Sequence, residues 1–356
     1  MPTIRDIRVR ALRVPMSEPH RTASGVVSDS PLVLIDLTTS DGVTGHAIIF
    51  TYTAAALRPT ADLIQNLAQL ITNEPLAPTT LTDKFNARFR LLGTQGLVGM
   101  AIAGLDMAMW DALARTHSVS LTRLLGAVER PIQAYGAVGY DGIAGSAKVA
   151  EQWAKRGFRG IKAKIGYPTV QEDIAVIEAM RSAVGDTMTI LVDYNQSLTP
   201  TEAIERLQRL EPYQLGWVEE PSLSHDFAGH AHIANAVQTP IQAGENWWGP
   251  LDFHHALHAR STDYWMPEVM KAGGITGWRR IAATAEAEGI RVSTHLWPEV
   301  SVQLLCTTPM AHWLEYADWW HAIVANPIEV RDGMAIPSTE PGSGFTWNEP
   351  AIARLQ

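Results

Sequence analysis

The sequence predicts an α/β protein built on a parallel (β/α) barrel, with a smaller α+β domain attached. Three observations lead there. From residue 131 onward, short strand-like runs alternate with helical stretches, eight strands in all. Such alternation belongs to parallel sheets joined by helical crossovers. Before that point the texture is mixed, strands first and helices after. After residue 318 the helix that should follow the eighth strand is missing, and a chain rich in Pro and Gly replaces it.

The N-terminal "IRDIRVRALRV" alternates charged and apolar residues, as a strand does. "SPLVLIDLTTSDGVTGHAIIF" also reads as strand, broken by a turn at Asp41-Gly42. Between them, "PMSEPHRTASGVVSDS" is polar and rich in small residues, which predicts a mobile loop. "TAAALRPTADLIQNLAQLI" and the apolar stretch from Gly96 to Ala114 follow as helices, and Gly126 and Pro131 punctuate their end. Barrel strands are predicted at 132–138, 160–166, 188–195, 215–221, 240–246, 263–269, 290–296 and 312–318. "TVQEDIAVIEAMRSAV" and "GITGWRRIAATAEAEG" are two of the helices between them. An open doubly wound sheet fits less well, because no Gly-rich phosphate loop follows any strand. The tail, with "NPIEVRDGMAI", is expected to return to the N-terminal domain. The expected division is 1–126, 127–319 and 320–356.

The 356 residues suit one barrel plus a smaller domain. With 46% hydrophobic and 18% charged residues, a disordered or coiled-coil chain is excluded. The net charge of -9 argues against a nucleic-acid partner, which would need a basic face. Cys306 is the single cysteine, so no intrachain disulfide can form, and a reducing cytoplasm is expected. The N-terminus lacks the apolar segment of a signal peptide, and no uninterrupted run of about 18 apolar residues occurs. No membrane association is expected.

Active sites of such barrels form at the C-terminal ends of the strands. The second strand ends in Lys162 and Lys164, and the third in Asp193 with Asn195. The fourth ends in Glu219-Glu220 and the fifth in Glu245-Asn246. The sixth carries Glu268, the seventh His295 and the eighth Glu315. Asp193, Glu219 and Glu245 recur every 26 residues, one strand-plus-helix unit each time. Three converging carboxylates repel one another unless a cation sits among them, and an all-oxygen set suits Mg²⁺ or Mn²⁺.

Each residue alone has a plainer explanation. An acid at a strand end, such as Glu220, often caps a helix. Asn195 could be a turn residue, His295 a satisfied core histidine, and Lys162 a snorkelling chain. Seven consecutive strands ending in ionisable groups outweigh these separate explanations. Lys162 and Lys164 lie two apart on "GIKAKIGY", hence on one face of the strand. Like charges that close repel, and burial makes the repulsion worse.

The chain resembles the enolase superfamily, in its mandelate racemase subgroup. "GFRGIKAKIGYP", "VDYNQSL", "WVEEPSL", "QAGENWWGP", "MPEVMKAGGITGW", "STHLWPEVS" and "AHWLEYAD" carry the resemblance in order. "PLVLIDLTTSDGVTGH" and "NEPLAP" extend it to the N-terminal part. The resemblance implies a (β/α)7β modified TIM barrel under an α+β capping domain. It implies Asp193, Glu219 and Glu245 as Mg²⁺ ligands (Mn²⁺ as the alternative), with a small-molecule carboxylate as substrate. Lys164 and His295 would be bases on opposite faces, Lys162 a carboxylate contact, and a protonated Glu315 a hydrogen-bond donor. A homo-oligomer, often octameric, is also implied.

The chemistry the resemblance implies is proton removal alpha to a carboxylate, giving an ene-diolate; the pairing of a Lys or His base with Mg²⁺ is a documented pattern for the superfamily. Three positions depart from mandelate racemase. Glu268 stands where that enzyme has aspartate, and Ala137 where it has serine. The loop that covers the substrate is more polar here, with His20, Arg21 and Ser24 beside the apolar Val27. His20, Ser24, Val27 and Tyr52 are therefore candidate substrate-loop residues. Glu268 also separates the chain from muconate cycloisomerases, which have lysine there. Racemisation or epimerisation of a 2-hydroxy acid is the first expectation. Dehydration of an acid sugar to a 2-keto-3-deoxy acid is the second, and a non-catalytic binding barrel the third.

Overall fold

The computed structural model describes residues 1–22 and 25–356. Three antiparallel strands open the chain: β1 (Ile4–Thr22), β2 (Gly25–Thr39) and β3 (Thr44–Phe50), in the order β1-β2-β3. Helices α1 (Ala54–Ala68) and α3 (Gly96–Thr116) pack on this sheet, α2 (Pro78–Arg88) packs on α3, and the short α4 (Leu121–Leu124) follows. Thr53 caps α1 by accepting from the Ala55 amide. Helix α3 is long and apolar enough to cross a membrane, yet 83% of its most apolar window is buried inside the protein. Its Gly104 lies where an added Cβ would meet Ile35 and Ile49, so the helix can sit close on the sheet.

The region predicted as a mobile loop is instead a hairpin arm. β1 and β2 continue through it, pairing His20 with Val27 and Arg21 with Val26. Pro15 and Pro19 fall at the irregularity between the Pro15 and His20 pairs, where a missing donor costs no ladder bond. Polar composition disguised the strand, because part of the arm is exposed on both faces. Arg21, near the end of β1, lies against the barrel: the Tyr140 amide donates to its carbonyl at 2.9 Å. Arg21 also pairs with Asp141 at 3.6 Å.

The barrel follows as β4 (Ile132–Val138), α5 (Gly142–Lys155), β5 (Gly160–Lys164), α6 (Val170–Val184), β6 (Thr189–Asp193) and α7 (Pro200–Leu210). Then come β7 (Val218–Glu219), α8 (Phe227–Ala236), β8 (Ile241–Ala243), α9 (Gly249–Ala259), β9 (Tyr264–Trp265) and α10 (Gly274–Glu288). β10 (Arg291–Val292), α11 (Pro298–Cys306) and β11 (Leu314–Tyr316) complete it. Helices α6 and α7 each begin with a capping box, Thr169 with Glu172 and Thr199 with Glu202. Neighbouring strands are parallel, and β11 returns to pair with β4 through Glu315 and Tyr135. A single parallel bridge, Val292 to Ala311, links the last two turns.

All eight predicted strands are present, and from the fourth onward they shrink to two or three residues. The chain leaves the ladder early there. Asn195, Glu220 and Leu296 adopt left-handed φ values of 45°, 37° and 51°, just past their strands. Such conformations cost energy for residues other than glycine and concentrate at functional sites.

No α-helix follows β11. A 3-10 turn (His321–Ile323) leads to β12 (Glu329–Arg331) and β13 (Met334–Ile336). This hairpin adds to the start of β4, Ala335 opposite Ile132, so this part of the tail extends the barrel sheet. Beyond it, α12 (Glu349–Ala353) reaches the N-terminal sheet. Buried Arg10 bridges Asp36 at 2.8 Å and Glu349 at 2.7 Å, and Trp347 donates to Asp36. Arg10→Leu would remove the buried cation paired with Asp36, leaving His46 and Trp347 as its partners, and is expected to cost about 3 kcal/mol, read by urea unfolding. Burial opposes ionisation of Asp36, but His46, Trp347 and Arg10 hold its pKa below the usual range. The folded state thus releases this proton more readily than the unfolded state. The linked stability is complete above about pH 4 and is lost as pH falls below it.

Candidate active site

The polar strand ends meet at the C-terminal mouth of the barrel. Asp193, the last residue of β6, and Glu219, the last of β7, sit side by side in the ladder. Glu245 lies two residues past β8. All three are buried, and one carboxylate oxygen from each lies within 4.8 Å of the others. Burial, followed by the charges of Asp193, Glu245 and Glu315, raises the Glu219 pKa in spite of Lys162. The cluster is short of positive charge, and that deficit together with the convergence fits a hard divalent cation.

The two lysines diverge at their tips. Lys162 Nζ lies 2.5 Å from Glu219, 2.8 Å from Glu315 and 3.9 Å from Asp193. Lys164 Nζ lies 3.2 Å from Asp193 and donates to Asn195 Oδ1 at 2.6 Å. Asn195 in turn donates its amide NH₂ to Asp193 at 2.9 Å, so it ties base and acid together. Burial lowers the Lys164 pKa, and Lys162 lowers it further, but Asp193, Glu245 and Glu315 together outweigh both and the net shift is upward. This differs from the downward shift expected from the lysine pair alone. The reason is the surrounding carboxylates, Asp193 foremost.

Glu315 likewise departs from its expected protonated form. Burial would raise its pKa, but Lys162 and His295 lower it. It accepts from the Leu296 amide at 3.1 Å. His295 Nδ1 lies 2.7 Å from Glu268, and Nε2 lies 3.1 Å from Glu245. The longer side chain of Glu268 therefore still reaches the histidine. Burial lowers the His295 pKa, but Glu245, Glu315 and Glu268 together raise it to about 9.

Of the substrate-loop candidates, His20 lines the same cavity as Lys162, Lys164, His295 and Glu315. Tyr52 donates its hydroxyl to Glu268, and its ring lies 4.3 Å from Lys271 Nζ. Val27 sits opposite His20 on the arm and is not among the residues lining this cavity. Ser24 lies outside the described residues. Glu220 is buried and accepts from Asn246 at 2.8 Å.

Sequence reading missed Lys271, which donates to Asn246 at 2.8 Å, and Trp319, whose indole lies 5.1 Å from the His20 ring. Neither closes a strand, so the rule that found the others passes over them. Ala137 lines the cavity with Val138, Leu296, Ala317 and Trp319. The lining is thus part apolar and part charged.

A barrel mouth that gathers three converging acids with two lysines and a histidine has the charges to handle a carboxylate. The chain belongs to the mandelate racemase / muconate lactonizing enzyme family of the enolase superfamily. Residues 4–126 match the mandelate racemase / muconate lactonizing enzyme N-terminal domain, and residues 145–351 match the enolase C-terminal domain-like family. A solved enolase from Bradyrhizobium, complexed with magnesium and mandelic acid, is 42% identical, with a TM-score of 0.96. The match covers 100% of this chain and 98% of that one. L-talarate/galactarate dehydratase from Salmonella typhimurium is 28% identical over 91% of this chain and 82% of its own. L-Ala-D/L-Glu epimerase from Bacillus subtilis is 30% identical over 80% of this chain and 78% of its own. The relatives thus include epimerases and acid-sugar dehydratases.

Proposed function

We propose that the protein is a Mg²⁺-dependent racemase or epimerase of a 2-hydroxy acid. The observation that carries this reading is that Lys164, from β5, and His295, past β10, line one cavity from across the barrel mouth. Asp193, Glu219 and Glu245 would hold the ion, with Mn²⁺ as an alternative. When bound, the ion supplies positive charge against which a dianionic ene-diolate becomes accessible.

The side chains account for the rest. Lys162 is drawn to the substrate carboxylate and fixes its orientation. An anion placed beside Glu315 penalises its charge, so its pKa rises and it becomes a donor to that carboxylate. Asp193 opposes deprotonation of Lys164 only while its own charge is free. With that charge matched by a cation, burial and Lys162 would lower Lys164 toward a working base. Asn195 keeps Lys164 in place, and Glu268 holds His295 by Nδ1 so that Nε2 faces the cavity. Two bases on opposite faces let a proton leave from one side and return from the other.

The apolar wall of Val138, Leu296, Ala317 and Trp319 supports an acid with an apolar side chain. Ala137 favours the second reading, dehydration of an acid sugar, because it offers no hydroxyl to the substrate carboxylate. The family membership and the complete set of bases weigh against a non-catalytic barrel. A cytoplasmic homo-oligomer, with the octamer as one form, belongs to the same proposal, and light scattering tests the assembly.

The test is alpha-proton exchange in D₂O, followed by NMR over 2-hydroxy acids and acid sugars. Both enantiomers of one 2-hydroxy acid should exchange with Mg²⁺, lose exchange with EDTA and regain it with Mg²⁺ or Mn²⁺. Exchange of neither enantiomer across the panel would reject racemisation. Release of a 2-keto-3-deoxy acid, read with semicarbazide, would establish dehydration instead.

A further inference from the structure

Six of the 12 histidines fall in one stretch of the chain, from His225 to His258. They lie on α8, on α9 and just before α8, and the two helices are neighbours: the Phe227 and His255 rings are 6.1 Å apart. A local concentration of imidazoles is a composition that binds metal ions. The environments of the six differ. His230 is buried, with Nδ1 3.1 Å from the Asp226 carbonyl. His255 Nδ1 lies 4.0 Å from Asp252. His254 and His258 are exposed. Among the described residues, neither of these two makes a hydrogen bond or an ion pair. They are four residues apart on α9 and so project from one face, a turn apart. Their ring centroids lie 4.3 Å from each other, with the planes at 77°. Two histidines at this helical spacing can share one metal ion. His258 also stands in the last turn of α9, where the outward carbonyls favour a cation.

We propose that His254 and His258 form a second metal site on the outer face of α9, for a borderline divalent ion such as Zn²⁺, Ni²⁺ or Cu²⁺. Imidazole nitrogen suits these ions, whereas Mg²⁺ takes oxygen ligands. The two donor sets sort the metals: three carboxylates at the barrel mouth for a hard ion, two nitrogens here for a borderline one. Among the described residues, no third acidic, histidine or cysteine ligand gathers with the pair, so the site is open and its ion exchangeable. The ion bridges successive turns of α9, the helix that begins four residues past Glu245. The site stands independently of the reaction proposed above.

The experiment is titration of the Mg²⁺-saturated protein with Cu²⁺, followed by calorimetry and electron paramagnetic resonance. Cu²⁺ is the probe because nitrogen sites bind it most tightly among these ions. The wild type should take up a Cu²⁺ ion whose spectrum shows coupling to two imidazole nitrogens. His254→Gln and His258→Gln should each weaken that uptake by at least about 10-fold, the smallest loss that removing even an outer partner of a metal site causes. His255→Gln should leave it unchanged. Copper bound elsewhere persists in the double variant His254→Gln/His258→Gln, whose signal is subtracted. Affinity and spectrum unchanged in the double variant would overturn the proposal. Coupling to a single nitrogen, or an equal loss in His255→Gln, would do the same. Both side chains are exposed, so the variants should fold, which circular dichroism checks. Where a variant does not fold, modification of the wild type by diethyl pyrocarbonate decides, read by mass spectrometry. Protection of His254 and His258 by Zn²⁺ sustains the site, and equal modification with and without Zn²⁺ rejects it.

Discussion

Lys164→Ala is expected to abolish racemisation and to lower exchange of one enantiomer by about 10³-fold, the effect of losing a general base. Exchange of the other enantiomer should continue, because His295 serves the opposite face. Lys164 is not one of the three proposed ligands, so the variant should still bind Mg²⁺, measurable by calorimetry. NMR of each pure enantiomer in D₂O separates the two faces. Loss of exchange from both enantiomers would show that one base serves the whole reaction, as a dehydratase would require. The structure makes this variant clean in one respect: Lys164 is partly exposed, so its loss leaves a gap open to solvent rather than a buried cavity. Its partners Asp193 and Asn195 remain bonded to each other.

His295→Asn is expected to give the mirror result. Racemisation should again fall below detection, and the enantiomer spared by Lys164→Ala should now be the one that fails, by a similar factor of about 10³. Asparagine retains a polar group near Glu268 but cannot accept and return a proton. The buried Glu268 loses its 2.7 Å partner in this variant, yet Tyr52 and Lys271 still face it. Folding should therefore survive, which thermal unfolding would check. If both variants fail with the same enantiomer, the two-base mechanism is wrong.

Much of this site can be read from strand ends. Asp193, Glu219 and Glu245 are legible because a βα unit of constant length repeats, and each repeat returns a side chain to the same rim. Lys162, His295, Glu268 and Glu315 follow from the same geometry. The hairpin arm is not legible, because its polar residues lack the one-sided hydrophobic pattern that marks a strand. The contact of Tyr52 with Glu268 spans 216 residues and depends on how the capping sheet sits on the barrel. The pKa directions of Lys164 and Glu315 depend on where side-chain tips point. Two lysines on one face look like mutual repulsion in the sequence, whereas Asp193 lies within 4 Å of both Nζ atoms.

The arm has a consequence for how such a protein can change. The groups proposed to break the carbon–hydrogen bond are anchored in barrel strands and their loops, while His20 rides on a projecting ribbon of the other domain. On the proposed function, a substitution at His20 would alter which acids are admitted without touching a strand of the barrel. New substrate ranges are therefore reachable by one or two nucleotide changes in the codons for 16–30, with the proton chemistry inherited intact. Libraries confined to that ribbon are the economical starting point for redirecting this catalyst.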